Sequence, residues 1–301
     1  MRGDDPIRRR CRPSYIEDRP PLVFDGDRPP LAVCVVINAE SFDNHRVAGP
    51  AMAGTPGQPP DIANATWREY GNRVGIWRLF AILAELGIPA TVAQNSANAA
   101  EHPAICQYAT ARGWEVIGHG ELNNQPVRDA DPAREAATIA RALDALTEAC
   151  GVRPRGWLSP GLMESDHTVD LLSAAGLRYV ADWVLDEQPV LIEAEPRPLV
   201  AFPYTLELND FPAVLRFGLS GADFAERIHD QYEQLRHEAS RSSRVMTIAL
   251  HPFITGVPHR ARHLRQVLSR IAEDPAVWFA TAAAVVDSCA SWLGHDGHGD
   301  E

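Results

Sequence analysis

The sequence has few cysteines, and none of its apolar runs is long enough to cross a membrane. Its five cysteines are widely separated and include no Cys-x-x-Cys pair, so neither a disulfide framework nor a cysteine zinc site is predicted. The first residues carry charges but no apolar segment follows them, and no stretch reaches the roughly 18 apolar residues of a membrane helix. We therefore expect a cytoplasmic protein with neither an export signal nor a membrane anchor.

Positive charge is also scarce, because 28 Lys and Arg residues face 40 Asp and Glu residues and the net charge is −12. Such a balance disfavours binding to nucleic acid or to an anionic membrane. The chain has no Gly-x-Gly-x-x-Gly after its first predicted strand and no Gly-x-x-x-x-Gly-Lys, so nucleotide binding is not predicted. It also lacks the Gly-x-Ser-x-Gly elbow of serine hydrolases. The expected partner is a small molecule that is uncharged or recognised locally.

Patterns of buried strands and amphipathic helices alternate along most of the chain. The first is the unbroken apolar run at 31–37, typical of a parallel strand covered on both faces. About seven or eight strand–helix repeats follow, which predict a parallel barrel or a doubly wound sheet. We expect an irregular N-terminal arm at 1–30, one domain at 31–290 and a tail at 291–301. Residues 44–70 have no periodic pattern and are predicted to form a loop over the strand ends.

Polar side chains stand just after nearly every predicted strand. His119 is the leading example, because four residues of strand character end there between two glycines that leave room for a ligand. The carboxyl ends of parallel strands meet at one edge of the sheet, where α/β enzymes place their active sites. The residues that would converge there are Asn38, Glu40, Asn95, His119, Asn123, Ser159, Asp182, Tyr204 and His251.

Several of these segments resemble the polysaccharide deacetylase (NodB homology) superfamily, and more narrowly its branch of PuuE-type allantoinases and cyclic imide hydrolases. The similar segments are 72–77 (NRVGIW), 118–120 (GHG), 156–161 (GWLSPG), 182–189 (DWVLDEQP), 203–210 (PYTLELND) and 251–252 (HP) with 256–260 (GVPHR). The resemblance extends from about residue 31 to 290. It implies a single-domain α/β fold, a distorted (β/α)7 barrel, and hydrolysis of C–N bonds in amides.

The resemblance also implies a metal, but two positions depart from the superfamily pattern. Deacetylases place an aspartate base and an acidic metal ligand after the first strand, and Asn38 and Glu40 occupy those positions here. Their second motif has two histidines four residues apart, whereas His119 is followed by Asn123, whose amide oxygen is a poor zinc ligand. Glu40, His119 and Asn123 are therefore candidate ligands for a divalent metal such as zinc, or the site works without a metal.

For the chemistry we expect His119, oriented by Glu40, to activate water and His251 to protonate the departing nitrogen. Asp182 would set the tautomer of a neighbouring histidine. The aromatic side chains would either wall a pocket for a flat ring or simply pack in the core. The predicted substrate-binding residues are Asn38, Arg73, Asn123, Trp157, Trp183, Tyr204 and Glu207.

Three functions remain open from the sequence. The chain could open a small cyclic amide or imide by attack of water on a carbonyl. It could instead be a metal-dependent N-deacetylase of a sugar or amino compound, or a non-hydrolytic or ligand-binding member of the fold, with Asn38 and Asn123 marking the loss of hydrolysis. The Ala-rich C-terminal helix leaves a homo-oligomer open.

Overall fold

The structure, a computed structural model, describes residues 5–11, 13–46 and 59–296, with side chains up to residue 294. The strands in these ranges are β1 (Leu31–Ala39), β2 (Ala90–Gln94), β3 (Glu115–Gly118), β4 (Gly156–Trp157), β5 (Tyr179–Val180), β6 (Val190–Ile192), β7 (Leu199–Ala201), β8 (Arg244–Leu250) and β9 (Val277–Phe279). The α-helices are α1 (Pro6–Arg10), α2 (Ile62–Tyr70), α3 (Ile76–Glu85), α4 (Ser96–Glu101), α5 (Pro103–Thr110), α6 (Pro132–Cys150), α7 (Thr168–Ala174), α8 (Gly221–Glu238), α9 (Pro258–Ala272), α10 (Ala282–Ser288) and α11 (Ala290–Asp296).

The strands form one curled sheet in the order β6-β7-β5-β4-β3-β2-β1-β8, and β9 pairs with the start of β1. All pairings are parallel except that of β6 with β7. Between β7 and β8 the ladder is interrupted. There, the Thr247 hydroxyl donates to the Pro203 carbonyl at 2.6 Å, and the Ala249 amide donates to the Leu208 carbonyl at 3.0 Å. The sheet is thus a distorted (β/α)7 barrel, which confirms the fold expected from the sequence.

Strand β1 is the centre of the barrel wall, and all nine of its residues are buried. Leu31, Val33, Val35 and Ile37 pack with α3, α8 and α9 outside the barrel. Alternate residues, such as Cys34 and Val36, pack with interior aromatic residues including Phe202 and Tyr204. Because both faces are covered, the strand is apolar throughout and not alternating, as the sequence indicated.

The helix ends follow the local sequence. Helix α6 begins after Asp131, whose carboxylate accepts from the Ala133 amide, and it ends at Gly151 in the left-handed conformation. Helix α8 begins with a reciprocal capping box between Ser220 and Asp223. These side chains satisfy amide groups that a helix leaves free in its first turn.

Three segments that were expected to be irregular contain some regular or buried structure. Part of the predicted loop at 44–70 is helix α2, which Asp61 caps through the Asn64 amide, while residues 47–58 lie outside the described ranges. The predicted arm contains helix α1 and buries Leu22 and Phe24 in the core. The predicted tail includes most of α11, and Trp292 packs in the same core cluster. Apolar side chains anchor both segments.

Among the described helices, none combines the length and apolar character that a bilayer crossing requires.

A π-helical turn, Gly71–Gly75, joins α2 to α3 and packs against the loop after β8. A Cβ atom on Gly75 would overlap the carbonyl oxygen of Pro252, and one on Gly256 would overlap the same oxygen. The two glycines therefore allow the backbones to approach closely, and this contact holds the loop that begins at His251.

We predict that Gly75→Ala destabilises the protein by about 1–3 kcal/mol, since backbone atoms must move to admit the new methyl group. The free energy of unfolding from urea titration measures the loss. Gly294→Ala is the control, because nothing lies within 4 Å of a Cβ at that position in α11, and its stability should be unchanged or slightly higher. Equal stability of Gly75→Ala and the wild type would contradict the tight contact.

Candidate active site

A cavity of about 910 Å³ opens at the carboxyl ends of the strands. The predicted site residues that line it are Asn38, Glu40, His119, Asn123, Asp182, Tyr204, Glu207 and His251. These side chains are as much as 213 positions apart in the sequence, and the parallel sheet brings their strand ends together.

The register of the strands places these side chains at neighbouring levels. Ala39 pairs with Gln94, and Gln94 pairs with Gly118, so the next residues, Glu40 and His119, follow equivalent positions of β1 and β3. Ile37 pairs with Leu250, which places His251 beside Asn38. Parallel strands in register point equivalent residues to the same side, so these side chains share the mouth of the barrel.

Gly118, the residue before His119, is required by close packing. A Cβ atom there would lie 2.6 Å from Cζ3 of Trp157 and still nearer to the adjacent ring atom Cε3. The glycine therefore allows a fully buried tryptophan to lie directly against β3, which supports the backbone on which His119 sits.

The orientation of His119 differs from the sequence-based expectation. Its Nδ1 donates to the Leu158 carbonyl at 2.6 Å, whereas Nε2 lies 3.5 Å from Oε1 of Glu40. Nε2 has no hydrogen-bond partner among the described residues. The Leu158 carbonyl therefore orients the imidazole, and Glu40 faces the reactive nitrogen.

His251 is held by Asp210, a residue to which the sequence analysis gave no role. The Nδ1 atom of His251 donates to Oδ1 of Asp210 at 2.7 Å, and the His251 amide also donates to that carboxylate at 3.0 Å. The Thr255 hydroxyl donates to Oδ2 of Asp210. With Nδ1 occupied, Nε2 of His251 points toward Glu40, and Oε1 of Glu40 is 3.5 Å away.

Glu40 therefore lies between two imidazoles in a buried site. Burial opposes the charge on His251, but Glu40 and Asp210 outweigh it and raise the pKa of His251 to about 10. Burial likewise opposes the charge on Glu40, yet the two imidazoles lower its pKa to about 2. At neutral pH the site thus holds a carboxylate beside the His251 imidazolium.

Asp182 does not orient a histidine, which corrects the role expected for it. Its Oδ1 accepts from the Ser159 amide at 2.7 Å. Burial, followed by the proximity of Asp182, raises the pKa of Glu164 to about 9, and burial raises that of Asp182. Each of the two carboxyl groups has one buried oxygen without a described partner, an arrangement that one shared proton would satisfy.

Three predicted substrate contacts lie outside the cavity lining, and their roles are corrected. Trp157 is fully buried in the core, with Nε1 donating to the Ser159 hydroxyl. Trp183 donates to Glu164 at 3.0 Å and packs at the edge of a core cluster. Arg73 is exposed on the π-helical turn. The aromatic or charged character of these residues indicated whether each side chain is buried or exposed. It did not indicate whether the side chain points into the cavity.

Tyr204 and Asn38 are further polar residues of the cavity lining. The Tyr204 hydroxyl accepts from the Asn209 amide at 3.2 Å, and burial raises the pKa of Tyr204. Asn38 donates to the Leu250 carbonyl at 3.4 Å. Phe211, Arg216 and Arg227 also line the cavity, and none of them was predicted from the sequence, because they come from segments that do not directly follow a strand.

The described residues do not match the metal set that the superfamily resemblance implies. Glu40 and His119 supply a carboxylate and an imidazole, but the third position is Asn123, whose Oδ1 is buried without a described partner. Among the described residues, no group of three His, Cys, Asp or Glu side chains is arranged to hold a metal ion. An amide oxygen does not complete a tight zinc site.

We predict that Glu40→Gln lowers the pKa of His251 by about one unit or more, because the variant removes one of the two carboxylates that stabilise the imidazolium. An NMR titration of the His251 ring proton measures this shift. Glu273→Gln is the matched control, since it removes an exposed carboxylate outside the cavity lining and should leave the titration unchanged. An unchanged His251 pKa in Glu40→Gln would contradict the coupling.

Comparison with known proteins shows which proteins this chain resembles. The polysaccharide deacetylase family matches residues 68–180. A presumed polysaccharide deacetylase of Schizosaccharomyces pombe is 26% identical over 239 residues, which cover 73% of this chain and 74% of that protein.

Two crystal structures have the same fold over nearly their whole length. That of a presumed polysaccharide deacetylase from Mycobacterium smegmatis has a TM-score of 0.77 at 25% identity, covering 91% of this chain and 96% of that chain. That of Puue allantoinase has a TM-score of 0.80 at 25% identity, covering 94% of this chain and 96% of that chain. Residues 68–180 therefore match a polysaccharide deacetylase (NodB homology) domain, as the motifs indicated, and the chain shares the fold of the two solved structures.

Proposed function

We propose that this protein is a hydrolase of C–N bonds that opens a small cyclic amide or imide by attack of water on a carbonyl. The observation that carries this proposal is the buried arrangement of His119 and His251, whose Nε2 atoms each lie 3.5 Å from the same oxygen of Glu40. Amide hydrolysis needs a base for water and an acid for the departing nitrogen. The two imidazoles have different partners that suit these roles, because a backbone carbonyl accepts from His119 and the Asp210 carboxylate accepts from His251.

His119 is the base in this proposal. Its Nδ1 proton is held by the Leu158 carbonyl, so the lone pair of Nε2 points toward the cavity side of Glu40. A substrate water molecule held at this nitrogen would give its proton to Nε2 as its oxygen bonds to the substrate carbonyl carbon. Asn38, which stands where the superfamily has its usual base, is then not needed for proton transfer.

His251 is the acid. Asp210 and Glu40 hold it as an imidazolium, which can donate the Nε2 proton to the ring nitrogen as the C–N bond breaks. His119 is then protonated and His251 is neutral, so one proton must return before the next turnover. Glu40 contacts both imidazoles and can pass this proton between them. The net reaction adds one water molecule to the amide.

The choice of a ring amide is supported by similarity to Puue allantoinase, whose crystal structure aligns with 94% of this chain at 25% identity. It is also supported by the set of possible metal ligands, because Asn123 replaces a third strong ligand, whereas the proposed base His119 and the proposed acid His251 are both present. A catalytic pair of histidines can hydrolyse an activated ring amide by proton transfer alone, each transfer contributing about 10²–10⁴ in rate.

The decisive experiment is an assay of the purified protein on allantoin, hydantoin, succinimide and N-acetylglucosamine, with and without the chelator EDTA, together with metal analysis. We expect opening of a ring substrate at a rate that EDTA does not change. Acetate release that depends on stoichiometric zinc would instead identify an N-deacetylase. No turnover of any compound would favour a member of the fold without hydrolytic activity.

We further predict that His119→Ala lowers kcat on the ring substrate by at least about 10²-fold, with a circular dichroism spectrum and melting temperature close to wild type. His259→Ala is the control, because His259 is an exposed residue at the start of α9 and does not line the cavity. Retention of activity by the His119 variant would remove this residue from the mechanism.

A further inference from the structure

The cavity is larger than a bare ring requires. Its volume is about 910 Å³, and pockets of about 300–1,000 Å³ hold drug-sized ligands. A five-membered amide ring placed against Glu40 and the two histidines would therefore fill only a part of the cavity. The remaining space must accept a substituent of the substrate or water.

The other lining residues show what kind of substituent would fit. Phe211, Leu206 and Phe217 line the cavity, and Phe217 is 68% exposed. Two arginines belong to the same lining. Arg216 ends the π-helical turn that follows Asp210, and Arg227 extends from α8.

Neither arginine has a carboxylate partner in the part of the chain that the structure describes. Arg227 is half-buried and approaches only the Glu207 backbone carbonyl, at 3.5 Å, whereas the exposed Arg216 has no hydrogen bond or ion pair among the described residues. Several arginines outside the cavity are tightly paired, as in the 2.6 Å contacts of Arg19 with Asp186 and Arg236 with Asp274. A guanidinium group offers five donors in a planar fork that matches a carboxylate, so two unpaired groups in one cavity indicate an anionic ligand.

The remaining charges of the cavity are compatible with such a ligand. Glu40 lies 3.5 Å from Nε2 of both His119 and His251, and Asp182 lies beside Glu164. Glu207 is the remaining carboxylate of the described lining, and its Oε2 accepts from the Thr205 hydroxyl at 3.3 Å. Because the chain has a net charge of −12, an anion would be repelled at long range, and only local cations could hold it.

We propose that the substrate is a cyclic amide or imide whose ring carries a side chain ending in a carboxylate, and that Arg216 and Arg227 bind this carboxylate. The inference rests on the proposed function for the ring and adds the substrate class. Arg216 and Arg227 are specificity residues in this scheme. They contact the substrate away from the reacting carbonyl and take no part in proton transfer.

The test uses matched probes and measures binding separately from turnover. Hydantoin-5-acetate and hydantoin-5-propionate are compared with their methyl esters, which have the same ring but no negative charge. Isothermal titration calorimetry gives Kd for Arg216→Gln, Arg227→Gln, the control Arg262→Gln and the otherwise wild-type protein, each with the additional substitution His119→Ala, which keeps the probes from being hydrolysed during the titration. Arg262 is exposed on α9 and lies outside the cavity lining, so its variant matches the loss of charge without touching the site.

We expect at least one of the acids to bind about tenfold or more tightly than its ester, and each cavity variant to remove most of that difference. Arg262→Gln should bind both probes as the wild type does. Equal binding of acid and ester, no binding of either acid, or an equal loss in Arg262→Gln would overturn the inference.

Turnover decides the proposed function independently. Arginine-dependent binding of an acid without ring opening of any probe would support the anion site while refuting the hydrolytic role. Ring opening of acid and ester with equal kcat/KM would support hydrolysis and overturn the anion site.

Discussion

The site depends on a single buried carboxylate that two imidazoles face. Glu40 is 5% exposed, and one of its oxygens is 3.5 Å from Nε2 of both His119 and His251. An isolated charge at that depth would be strongly unfavourable, and removing one partner of a buried pair typically costs about 3–5 kcal/mol. The protein retains the carboxylate because His251 supplies a countercharge and Asp210 in turn fixes His251. Burial, charge and orientation at this site therefore depend on one another.

The barrel architecture makes this arrangement possible. Parallel strands in register place Glu40, His119 and His251 at neighbouring levels, although they come from different parts of the chain. Glycines let the loop after β8 pack closely against the connection between α2 and α3. His251 is therefore held both by this packing and by Asp210. The chemistry is thus set by main-chain packing as much as by the reactive groups themselves.

Much of the fold could be predicted from the sequence, because apolar runs such as 31–37 and the alternation of strands with helices are local patterns. Convergence of the strand-end residues followed from the parallel topology alone. The partners of the histidines could not be predicted in the same way. The group that orients His119 is a backbone carbonyl, which no side-chain pattern reveals. The group that orients His251 is Asp210, one of several acidic residues in a polar segment. Trp157 and Trp183 show the same limit, since a residue type indicates burial but not which side of the barrel wall it faces.

The interrupted ladder between β7 and β8 has a wider consequence. The segment 203–210 spans this seam, and its backbone carbonyls accept from Thr247 and Ala249. These eight residues also present Tyr204, Glu207 and Asp210 to the cavity or to His251. The segment that bridges the gap between β7 and β8 by hydrogen bonds therefore also lines the cavity. Insertions or substitutions in this short segment would therefore change substrate recognition while the other strands keep their pairing. A shift of Asp210, however, would also change the orientation of His251.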